Sequence, residues 1–162
     1  MKQIRNSVFE TNSSSTHSLT INSKILDAKI NLEVNGFDNN IHVSSGEFGW
    51  GYEELTSQYK KLSYLVTMMF EKEIKNIKDA INIYESESFK LIDDAIFEHT
   101  GHHIALDEID LKRNKINIEG YIDHQSYEKY ASFKDFLEQN NVSVIEFVFG
   151  DTIMKIDNDN HY

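Results

Sequence analysis

Three short segments of this 162-residue chain gather side chains able to do chemistry. The first, Thr11-Asn12-Ser13-Ser14-Ser15-Thr16-His17-Ser18, follows Glu10 and is dense in hydroxyls. Its hydroxyls and backbone N–H groups could cradle a phosphate or a carboxylate. It lacks the glycines and the Lys-Ser/Thr pair of a P-loop, and such tracts also serve as solvated turns that bond their own backbone. The second, Gly46-Glu47-Phe48-Gly49-Trp50-Gly51-Tyr52, interleaves three glycines with three aromatics, including the only tryptophan. This spacing does not fit a dinucleotide fingerprint. Phe48 or Trp50, with Tyr52 beside them, could stack on a base or on a partner's side chain if exposed, and would anchor the loop to the core if buried. The third, Asp123-His124-Gln125-Ser126, puts a histidine at the end of the strand-like Gly120-Tyr121-Ile122. Neighbours on a strand point to opposite faces, so a general base at His124 would draw its partner from His17, Ser15 or Glu10 and not simply from Asp123. His99, His102 and His103 lie close in sequence near a helix end, but a histidine in a last turn is favoured by the helix dipole without any metal, and no metal site is assigned there.

Composition narrows the chemistry further. The chain has no cysteine, which excludes disulfides, thiolate metal sites and a cysteine nucleophile. Acidic residues number 27 against 16 basic ones, a formal charge of -11 that repels phosphate backbones. Direct nucleic-acid binding is therefore disfavoured. A surface of this sign keeps a protein soluble, or imitates nucleic acid and occupies a basic groove on a partner. The longest apolar runs, Val142 to Phe149 and Leu65 to Phe70, fall far short of the ~20 residues of a membrane span. No signal peptide is legible after Met1, so the expectation is a cytoplasmic protein without a membrane partner or a cofactor.

The elements that must position these segments follow from periodicity. Short strands are expected at Ser18 to Asn22, Ile30 to Val34 and Ile41 to Ser45, with Asn35-Gly36 turning a hairpin. From Glu53 the period lengthens, and Leu55, Tyr59, Leu62, Val66 and Met69 mark one face of a helix. A second helix uses Ile74, Ile77, Ile81 and Tyr84, and a third uses Phe89, Ile92, Ile96 and His99 before Gly101. A hairpin is expected from Ile109 and Leu111 through Asn114 to Ile116 and Ile118, then a helix opened by Ser132 with Asp135 three residues on. Val142 to Phe149, apolar on both faces, reads as a central strand that Gly150-Asp151 turns back into Ile153 to Ile156. The sum is one α+β domain over residues 1–162, with a mostly antiparallel sheet, a helical middle over 52–100 and a frayed tail at 157–162.

The segments Arg5 to Ser18, Phe48-Gly49-Trp50-Gly51-Tyr52 and Ile122-Asp123-His124-Gln125-Ser126 together resemble a family of small uncharacterised proteins of phages and mobile elements in low-GC bacteria. The resemblance implies a phage-type accessory protein that binds and modulates a host or defence component, and it makes the three segments candidates for one shared site. Binding residues on this view are Glu10, Asn12, Ser13, Ser14, Ser15, Phe48, Trp50 and Tyr52. The alternative is a small enzyme or nucleotide-binding module with His17, His124 and Asp123 as its catalytic groups.

Overall fold

The computed structural model describes residues 15–26, 29–123 and 130–158. Its centre is helix α1 (Gln58–Met69), capped by Ser57, whose hydroxyl accepts from the Lys60 N–H at 3.1 Å. Every residue from Lys61 to Phe70 is buried, so α1 is enclosed on all sides and not amphipathic. Its polar members are satisfied inside the core. Thr67 Oγ1 donates to the Ser63 carbonyl and Ser63 Oγ to the Ser44 carbonyl, each at 2.7 Å, while Lys61 Nζ donates to Thr152 Oγ1 at 3.1 Å.

A three-stranded antiparallel sheet packs nearby in the order β1 (Ser15–Leu26), β9 (Gly150–Asn158), β4 (Glu53–Leu55). Two short parallel ladders stand apart from it: β2 (Ile41–Val43) with β5 (Ile104–Leu106), and β3 (Glu47–Phe48) with β8 (Tyr121–Ile122). β6 (Ile109–Asp110) and β7 (Lys115–Ile116) form the expected hairpin. A π-helical turn (Phe70–Ile74) extends α1, and α2 (Ala80–Tyr84) follows. Helix α3 (Glu87–Thr100) ends where expected, on Gly101 at φ 80°. Helix α4 (Phe133–Gln139) opens on Ser132, whose hydroxyl accepts from Asp135 N at 3.0 Å. The fold is α+β with antiparallel pairings in the majority.

Several local expectations are corrected. Val144–Phe149 is a short helix, α5, and not a central strand. Ser143 and Glu146 form a complete capping box there, which fixes helical geometry before the apolar run begins. Gly150 therefore leads from a helix into β9 and does not turn one strand onto another. Residues 30–34 form no strand, and Asn35-Gly36 does not join a hairpin. Instead Asn35 N donates to Asn40 O at 2.8 Å, closing a turn, and the strand that follows pairs in parallel with β5. The helix expected from Glu53 starts at Gln58, because Glu53–Leu55 is spent on pairing with β9. The second expected helix shrinks to α2, since Ile74 belongs to the π-helical turn. At the C-terminal end, β9 pairs through Asn158, so residues 157 and 158 of the expected tail lie within a ladder.

Candidate functional site

The glycine–aromatic loop is built by its neighbours. The strap that enters it is pinned from both sides: Gly46 N donates to Thr67 Oγ1 at 2.9 Å, and Ser45 donates through both N and Oγ to Glu108 Oε2 at 2.7 and 2.6 Å. Gly120 N donates to Ser45 Oγ at 2.9 Å, bringing β8 alongside. A side chain at Gly120 would put its Cβ 2.6 Å from the Gly46 backbone, so this close approach demands glycine. The β3–β8 register sets Glu47 opposite Tyr121 and Phe48 opposite Ile122, and Asp123 N continues it by donating to Phe48 O at 2.8 Å. Gly49 then turns the chain at φ 101°, with its would-be Cβ 2.6 Å from Asp123 Cβ.

That turn sorts the three aromatics. Phe48 is 2% exposed and meets Tyr64 edge-on at 5.3 Å, so it anchors the loop and offers no stacking surface. Trp50 is 59% exposed, yet it is held in place. Its Nε1 donates to the Tyr121 hydroxyl at 2.7 Å, and the two rings lie 5.9 Å apart at 83°. Tyr52, 52% exposed, donates its hydroxyl to Glu54, while Lys155 Nζ sits 5.6 Å from its ring centre. Tyr121, 36% exposed, was not among the residues singled out from sequence, because only the parallel β3–β8 pairing brings it to Trp50.

The Trp50 loop thus meets the start of the third segment, Ile122 and the buried Asp123, while residues 124–126 of that segment lie outside the described residues. The first segment approaches through its backbone. His17 on β1 and Glu53 on β4 both stand opposite Ile156 of β9, on either side of it, and Ser15 pairs with Asn158. Glu10, Asn12, Ser13, Ser14 and His124 lie outside the described residues. The Glu53 carboxyl is pushed up from 4.5, chiefly by burial and against the pull of the Lys60 charge.

The histidine-bearing segments behave differently. His42 places Nε2 2.7 Å from Asp38 Oδ2 and Nδ1 3.1 Å from Asp107 Oδ1. Two carboxylates favour the doubly protonated ring, and the His42 pKa is raised from 6.5, first by the Asp38 hydrogen bond. Both ring nitrogens are thus bonded to carboxylates of the protein itself. His103 Nδ1 bonds Asp93 Oδ2 at 2.8 Å and stacks on Phe97 at 4.2 Å. His102 Nδ1 bonds the Asn39 carbonyl at 3.0 Å, and His99 packs against Phe149 at 4.2 Å. The three histidines near the end of α3 therefore diverge. Among the described residues no three His, Asp or Glu side chains gather as a metal site, and no helix is long and apolar enough to cross a membrane. The Asp38–His42–Asp107 contact was not legible in sequence, since a separation of 65 residues gives no local signal. No family model, curated protein or solved structure matches this chain.

Proposed function

We propose that this chain is a non-enzymatic binding module that engages a partner protein through the Trp50–Tyr121 surface, as a phage-type accessory protein acting on a host or defence component. The observation that carries the reading is a tryptophan more than half exposed yet fixed by a 2.7 Å hydrogen bond and an edge-on ring contact. A large aromatic that is already ordered loses little entropy on binding and is the side chain most often found at the energetic centre of an interface. The formal charge of -11 adds steering toward a basic partner, an attraction that salt screens over ~10 Å at 0.1 M.

The test is affinity capture from bacterial lysate with wild-type and Trp50→Ala baits of matched stability. Wild type is expected to retain one dominant partner near equal stoichiometry, released by raised salt and lost with Trp50→Ala. Equal recovery on both baits would refute the reading.

A further inference from the structure

We propose that the Trp50–Tyr121 surface is a seat for an arginine side chain of a basic partner segment, a step that rests on the binding reading above. Exposed aromatic faces accept bases, sugars, apolar side chains or cations, and the charges around this one select among them. Glu47 stands opposite Tyr121 in the β3–β8 register, Glu119 lies two residues before Tyr121 in the chain, ahead of β8, and Glu54 accepts the Tyr52 hydroxyl. All three are exposed carboxylates. Nucleotides and anionic lipid headgroups would bring phosphate against them, whereas a guanidinium brings the complementary charge. At Tyr52 of the same loop, the Lys155 ammonium lies 5.6 Å from the ring centre, a cation over an aromatic face.

Arginine fits better than lysine for two reasons. Its planar guanidinium stacks on an indole face while its N–H fork reaches flanking carboxylates, and it is less strongly hydrated than an ammonium. The Trp50 ring is also pre-oriented, by its N–H bond to Tyr121 and the edge-on contact of the two rings, while more than half of the residue stays exposed. A partner presenting arginines among apolar residues would therefore find both a stacking face and a carboxylate rim.

The chain's single tryptophan makes the test direct, because all indole emission comes from Trp50. The full-length protein is titrated with hexa-arginine, hexa-lysine, a neutral Gly-Ser peptide, oligo-dT and a maltooligosaccharide, following fluorescence and, for variants, calorimetry. Saturable change with hexa-arginine is expected, at least about threefold tighter than hexa-lysine, with about fivefold loss in Trp50→Leu. Equal affinity for hexa-arginine and hexa-lysine, or unchanged binding by folded Trp50→Leu, would reduce the interaction to general charge attraction and overturn the seat. Preference for the oligonucleotide or the sugar would overturn it as well. Should Trp50→Leu fail to fold, the arginine-to-lysine ratio on wild type decides alone. If Trp50→Ala abolishes lysate capture but hexa-arginine shows no preference, only the arginine assignment falls; if capture survives Trp50→Ala, the binding reading falls with it.

Discussion

The loop around Trp50 and the region where His42 meets the end of α3 each gather polar and aromatic side chains, and they use them in opposite ways. In the second region polar groups are consumed by the fold. His42 clamps Asp38 to Asp107, His102 ties the Asn35–Asn40 turn to the chain after α3, and His103 and Ile104 N share the Asp93 carboxylate. In the first region the fold spends glycines and hydrogen bonds to keep a large aromatic outside the core. Burying Trp50 would have gained hydrophobic stabilisation, and its ordered exposure is the feature on which the proposed binding role rests.

The sharpest way to break this contrast is at Gly49. Gly49→Ala meets both an unfavourable φ of 101° and a 2.6 Å contact with Asp123, and about 2–3 kcal/mol of destabilisation is expected. Gly51→Ala, with nothing within 4 Å, should stay within about 0.5 kcal/mol. Denaturant unfolding of the pair measures the difference; equal stabilities would mean that the loop is not held as described.

Next in size is Asp93→Ala, which strands the buried Ile104 N–H and frees His103. A loss of about 1–3 kcal/mol is expected, with binding by the Trp50 surface retained. A fully stable Asp93→Ala would show that this carboxylate is not structural and reopen His103 as a chemical group.

The smallest expected effect is the pH response of the His42 clamp. Because the folded His42 pKa is raised from 6.5, its contribution is fully present below that value and fades as pH rises through the raised one. Asp38 is lowered from 3.8, first by the Asn40 backbone N–H, so its share is present above 3.8 and fades as pH falls through the lowered value. The clamp is thus strongest between the two, and both groups are too exposed for a large effect. Amide exchange of Asn39 and Asn40 followed across pH should quicken above the His42 transition in wild type and show no such step in His42→Gln.

How legible this was from sequence depended on the range of the cause. Helix α3 could be read because Gly101 and the spacing of Phe89, Ile92 and Ile96 are local signals, and the same holds for Ser132 opening α4. Val144–Phe149 was misread because a short run apolar on every side suits a strand or a buried helix equally, although Ser143 and Glu146 carried the deciding signal. The enclosure of α1 was hidden by Lys61, Ser63 and Thr67, which look solvent-facing until Lys61 finds its acceptor on β9, Ser63 its acceptor on the strap, and Thr67 bonds the Ser63 carbonyl and accepts from Gly46 N. At the site, Trp50 stood out by type, but its partner Tyr121 lies 71 residues away and depends on a parallel ladder that no local pattern announces.

The central proposal, that exposed Trp50 and not His42 carries binding, is tested most directly by the affinity of Trp50→Ala for the purified captured partner, beside His42→Gln. The account predicts a loss of about 2 kcal/mol or more for Trp50→Ala, roughly thirtyfold, at an unchanged melting temperature, and wild-type affinity for His42→Gln. Wild-type affinity in a folded Trp50→Ala protein would contradict it.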